Sequence, residues 1–229
     1  MDYFWYWKPE EDFPPHPVVQ PEQARNSERL NVACTQTTLP PLRRRKIVAE
    51  WCELFPALTN VRLLWLSSKV PQALFEAACR VPNLEGLYVK WSGISDLAPL
   101  AGARKMRWFH LGQTAQLGSI EPLATMSQLR WLGLELLSRV HELDPVGSLV
   151  DLEGLSLEGS IGTTWRVQTL RPLRHLEGLR YLSIANLRTV DRTLSPLFSL
   201  SKLVSFRHAS WWERSELDEI RRRNPQLAA

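Results

Sequence analysis

Cysteine is scarce in this 229-residue chain: Cys34, Cys52 and Cys79 are an odd number without CxxC spacing. That argues against a disulfide framework and a zinc knuckle and points to a reducing, cytoplasmic setting. Long apolar runs are missing too, and none approaches the ~18 residues of a membrane span, so no membrane partner is expected. The opening MDYFWYWKPEEDF lacks a basic start, a long apolar stretch and a small-residue cleavage site, so export by a standard signal is not expected. Charge of one sign is in short supply, since 28 basic against 24 acidic residues leave a net +4, too little for a nucleic-acid-binding stripe.

Signatures of catalysis are also lacking. No GxxxxGK[ST], HExxH or GxSxG occurs, and Gly154, Gly159 and Gly162 are spaced wrongly for a dinucleotide fingerprint. The histidines His16, His110, His141, His175 and His208 are scattered, which disfavours a shared metal site. We therefore expect no enzyme activity, no cofactor and no metal. With 44% hydrophobic and 23% charged residues, the chain has the composition of a globular body able to bury a sizeable core.

What the chain does have is ten tryptophans, sixteen prolines and a repeat. The pattern L-x-x-L-x-L recurs at Val61, Leu64, Leu66; Leu84, Leu87, Val89; Met106, Phe109, Leu111; Leu129, Leu132, Leu134; Leu152, Leu155, Leu157; Leu179, Leu182, Ile184; and, worn, at Leu203, Phe206, His208. First positions advance by 23, 22, 23, 23, 27 and 24 residues. In register with five copies runs an apolar-x-Pro-apolar motif, with Pro99, Pro122, Pro145, Pro172 and Pro196 at equivalent places. Proline suits the first turn of a short helix and blocks ladder pairing, so each unit reads as strand, turn and short helical or 3₁₀ return.

Together the two half-patterns resemble the leucine-rich repeat family, and in particular its short, ~22-residue, bacterial internalin-like class, over about residues 58 to 210. The resemblance implies an α/β fold: a leucine-rich repeat solenoid with a curved parallel sheet of about seven or eight strands, short helical or 3₁₀ convex returns, and helical caps at both ends. One unit cannot close a core alone; seven stacked units can, each buried aliphatic contributing roughly 1.5 to 3 kcal/mol. The family usually carries an asparagine three residues after the third apolar position. Here that position holds Lys69, Ser92, Thr114, Leu137, Ser160, Leu187 and Trp211, so the asparagine ladder is missing and Leu137 and Leu187 point to a drier, tighter turn. The 27-residue step carries about four extra residues, most easily placed in Gly159 to Arg166 as a protruding loop.

Four regions follow: an aromatic and proline-rich arm (1–28), an N-terminal strand and capping helix (29–57), the repeats (58–210) and a C-terminal capping helix (211–229). Pro41 to Phe55 places Leu42, Ile47, Val48, Trp51, Leu54 and Phe55 mostly on one helical face, with Pro56 as its stop. At the other end Ser215 caps a helix from about Glu216 to Arg223, with Leu217 and Ile220 as anchors and Asn224-Pro225 as the stop. Tyr3 to Trp7 form five consecutive aromatics, expected to pack against the cap or, alternatively, to form a partner-binding arm.

Residues alternating with the inward apolar pair should face outward on the concave sheet. Between the inward residues stand Trp65, Tyr88, His110, Gly133, Ser156, Ser183 and Arg207, and immediately before the first inward residue stand Leu63, Gly86, Trp108, Trp131, Gly154, Tyr181 and Ser205. Immediately after the second inward residue come Ser67, Lys90, Gly112, Glu135, Glu158, Ala185 and Ala209, with Trp91 close to the strand exits. The rings crowd the first four units, the composition of a binding hot spot; the alternative is that they stack on one another or are covered by the arm. His110 reads as a surface aromatic and His208 as a worn core position. Candidate partner-binding residues are Trp65, Tyr88, Lys90, Trp91, Trp108, His110, Trp131, Glu135, Glu158, Tyr181 and Arg207. Glu135 and Glu158 could receive a partner's lysine or arginine. The expected role is a non-catalytic scaffold that binds a protein, such as a toxin or effector, as an inhibitor, immunity protein or adaptor. The other reading is nucleic-acid or anionic-ligand binding through the basic runs Arg43 to Lys46 and Arg221 to Arg223.

Overall fold

A computed structural model describes residues 14–25, 27–160 and 162–227. The aromatic run Tyr3 to Trp7, and the expectation attached to it, lie outside the described residues. Eight strands form one parallel sheet in spatial order β1 (Arg29–Val32), β2 (Leu63–Val70), β3 (Gly86–Ser92), β4 (Trp108–Leu111), β5 (Trp131–Glu135), β6 (Gly154–Glu158), β8 (Tyr181–Ile184) and β10 (Ser205–His208). A second sheet pairs β7 (Trp165–Val167) with β9 (Leu187–Thr189). The strands of the main sheet follow one another in chain order, so every unit stacks on the one before it.

The repeat pattern sets the register. Leu64, Leu87, Phe109, Leu132, Leu155 and Leu182 stand directly opposite one another across six strands. Their row belongs to one apolar cluster that runs without interruption from Leu30 to Ile220. At the five aligned positions proline is the second residue of a short helical turn, and the N–H one residue after it bonds back to the apolar residue three places earlier. Those bonds are Leu100 to Leu97, Leu123 to Ile120, Val146 to Leu143, Leu173 to Leu170 and Leu197 to Leu194, all at 2.8 to 2.9 Å. Four of these turns are 3₁₀, and the third along the chain is the single-turn α3 (Asp144–Gly147). The return after β2 has no such internal proline, and there a two-turn helix forms, α2 (Gln72–Ala78), burying Leu74, Phe75, Ala77 and Ala78.

Thr114 takes over the missing asparagine's task in one unit: buried, its hydroxyl donates to the Ile94 carbonyl at 2.8 Å. Leu137 and Leu187 are fully buried, and the residues before them, Leu136 (φ 42°) and Asn186 (φ 53°), take the left-handed backbone that sharpens the turn.

Near the N-terminal end, α1 (Pro41–Leu54) buries Ile47 and Trp51 completely, and the Trp51 indole donates to the Val19 carbonyl at 2.9 Å. Leu42 departs from expectation and is 80% exposed. At about 100° per residue it stands on the opposite side of the helix from Trp51. At the far end α4 (Arg214–Arg223) buries Leu217 and Ile220. It begins one residue before Ser215, which is thus inside the helix rather than its cap, and Glu213 occupies the cap position. Buried Asn224 accepts from the Leu203 N–H at 2.9 Å and donates to the Leu200 carbonyl at 2.8 Å, tying the helix end to the last repeat.

The expected protruding loop is corrected. Trp165 and Val167 alternate with exposed Arg166, a period-2 pattern that enters the core as β7, and the Trp165 indole donates to the Val140 carbonyl at 2.8 Å. Gly162, at φ 78°, and Thr163 remain at the exposed tip. No helix among the described residues is long and apolar enough to cross a membrane.

Candidate functional site

The sheet face turned away from the core carries the columns expected of it. Asn31, Trp65, Tyr88, His110, Gly133, Ser156, Ser183 and Arg207 align strand by strand, as do Gly86, Trp108, Trp131, Gly154 and Tyr181 beside them. Parallel neighbours at ~4.8 Å bring successive rings within contact distance.

Two glycines decide how those rings lie. The His110 ring leans over Gly133, where a Cβ would overlap its Nδ1, and it stacks on Tyr88 with centroids 4.6 Å apart and planes within 9°. The Trp131 ring lies over Gly154, where a Cβ would overlap ring carbons, and so reaches Tyr181 at 5.1 Å, two strands away. Such pairs contribute about 0.5 to 1.5 kcal/mol beyond the area they bury. These two glycines are the floor on which the rings rest. The available signal was a glycine one strand after each ring in the same column.

Burial divides the candidates. Trp65 is 2% exposed and His110 4%, so neither presents its ring as an open surface, and the expectation of a surface histidine at 110 is corrected. Tyr88, Trp108, Trp131 and Tyr181 are half-buried, whereas Lys90, Trp91 and Arg207 are exposed. Mutual stacking accounts for part of this cover. At the Trp65 end the proline-rich arm contributes as well: the Asn31 amide donates to the Pro15 carbonyl at 2.9 Å, and Val18 bridges to the edge of β1 through Asn31 and Ala33. Burial pulls the His110 imidazole down to about 4, so this ring is neutral near pH 7.

Polar members of the face are already engaged. Glu158 is buried, accepts a hydrogen bond from the Ser183 hydroxyl and pairs with Arg207 at 3.8 Å. An open acidic pair is thereby corrected: Glu158 has its cation within the chain. Glu135 stands directly opposite Glu158, and burial, reinforced by the Glu158 charge, raises its carboxyl above the usual range. Trp91 is 40% exposed; its indole donates to Gln36 at 3.0 Å, and the Lys90 ammonium lies 5.4 Å from its ring centroid. His208 is half-buried in register with core Ile184.

Elsewhere, all three cysteines are free thiols; burial pushes Cys34 and Cys79 up to about 12 and raises Cys52. Among the described residues no group of three His, Cys, Asp or Glu could hold a metal ion. The basic runs are partly paired: Arg43 and Lys46 share Glu50, Arg221 pairs with Asp218, and Arg222 and Arg223 share Glu219.

No family model matches the chain, and no curated protein matches it. Solved structures do. Internalin C2 from Listeria monocytogenes is 23% identical over 75% of this chain and 71% of its own, with a TM-score of 0.56. An internalin F from the same species is 18% identical over 77% of this chain and 55% of its own, with a TM-score of 0.50. The chain therefore has the internalin-like leucine-rich repeat fold, which makes the outer sheet face the concave one.

Proposed function

We propose that the chain is a non-catalytic, cytoplasmic scaffold that holds a protein partner on the concave aromatic face, in the manner of an inhibitor, immunity protein or adaptor. The observation that carries this reading is the aromatic layer laid over Gly133 and Gly154. Rings fixed by stacking lose little entropy on association, the property that makes Trp and Tyr anchors effective. Tyr88, Trp108, Trp131 and Tyr181 supply the half-buried centre, with Trp65 and His110 as its buried support. Lys90, Trp91, Glu135 and the Glu158–Arg207 pair form a polar rim, the usual anatomy of a recognition patch. A toxin or effector presenting apolar side chains ringed by mixed charge fits this surface. The basic runs on α1 and α4 offer a weaker site, because five of their seven cations are already held by carboxylates of the same helices.

The test is a pull-down from the native cell followed by calorimetry with the captured protein. Trp131→Ala should weaken binding at least tenfold while far-ultraviolet circular dichroism stays unchanged, and raising salt from 50 to 200 mM should alter affinity little. Binding that survives Trp131→Ala and Trp108→Ala together, or that collapses with salt, would sink the reading.

A further inference from the structure

Beside β7 and β9, away from the aromatic face, lies a cavity of about 260 Å³ lined by Arg166, Arg188, Thr189, Arg192, Trp211, Trp212 and Glu213. We propose that it binds a small tetrahedral oxyanion, a phosphate group either free or carried as a monoester. Three arginines face one glutamate among the lining residues. Arg166 and Arg188 are direct cross-strand partners in the β7–β9 ladder, an arrangement in which like charges repel. Among the described residues no carboxylate pairs with Arg166, Arg188 or Arg192. A dianion between the guanidiniums converts that repulsion into charge-assisted hydrogen bonds, which the planar fork of arginine makes in bidentate fashion.

Two further groups point to a ligand. The Trp212 indole N–H and the Thr189 hydroxyl are buried, and neither has a hydrogen-bond partner; their residues are 6% and 5% exposed. A buried donor without a partner is costly to desolvate, and an oxyanion accepts from such donors. Arg188 is held in place by stacking on the Trp211 ring, with its guanidinium carbon 4.5 Å from the centroid. The volume is ample for a phosphoryl group. The longer fifth repeat step creates the site, because its extra residues bring Trp165–Val167 into pairing with Leu187–Thr189.

The experiment follows the indole N–H resonances of the full chain by nuclear magnetic resonance, with the Trp212 signal assigned from Trp212→Phe. Inorganic phosphate and phenyl phosphate are titrated against sodium chloride of matched ionic strength. The expected result is a saturable shift of the Trp212 signal with phosphate and none with chloride. Arg166→Ala combined with Arg192→Ala, checked for folding by circular dichroism, should weaken that binding at least tenfold. Tighter binding of phenyl phosphate than of phosphate identifies a monoester ligand; equal binding identifies the free ion. A shift that chloride reproduces, or that the double variant retains, overturns the proposal.

Discussion

Acidification should destabilise the protein through His110 by a predictable amount. The folded imidazole takes up a proton only near pH 4, whereas in the unfolded chain it does so near 6.5. Between those values the unfolded state binds more protons, so stability falls as pH falls. Full stability is present above pH 6.5, is lost through the window down to about 4, and the His110 contribution is flat below it. A pKa unit corresponds to about 1.4 kcal/mol, so the whole gap amounts to roughly 3 kcal/mol. His110→Phe keeps a ring to stack on Tyr88 and removes the titration. Urea unfolding at pH 7, 5.5 and 4 should show the wild type losing roughly 3 kcal/mol relative to this variant, while the His110 ring proton titrates near pH 4. A ring proton titrating near 6.5, with wild type and variant losing stability in parallel, would refute the reasoning and place His110 in water. The Tyr88–His110 stack is therefore uncharged at neutral pH.

Phe109→Ala should cost roughly 3 to 5 kcal/mol in urea unfolding, because its ring is 1% exposed and packs 6.4 Å from Phe75; half-buried Trp108, one residue earlier, should cost less when truncated. Trp165→Phe removes the donor to Val140 and should lose about 1 to 3 kcal/mol by the same measurement. Gly154→Val should change the near-ultraviolet circular dichroism spectrum by driving the Trp131 ring off Tyr181 with the far-ultraviolet spectrum preserved; an unaltered near-ultraviolet spectrum contradicts the described ring contact. Leu132→Asp should unfold several repeats together, seen as a lost cooperative transition, since the site is fully buried and a lone charge there is not locally repairable.

The sequence by itself determined the parallel sheet, its strand register and the outward columns. These depend on a short-range rule, an apolar residue at fixed spacing in each unit, and the rule repeats often enough that errors in one unit are corrected by the next. The aligned prolines likewise set five returns through a local effect, a fixed φ and a missing donor. Only the tertiary structure decided how far each outward side chain is covered. Trp65, His110 and Glu158 occupy outward positions yet are buried, because exposure depends on which way a ring tilts, on whether the next strand offers a glycine, and on where the arm comes down. The same holds for the long repeat step. Its length announced extra residues at 159–166, but a strand forms there because Trp165 finds the Val140 carbonyl and β9 finds a partner, contacts between segments over twenty residues apart that local pattern does not encode.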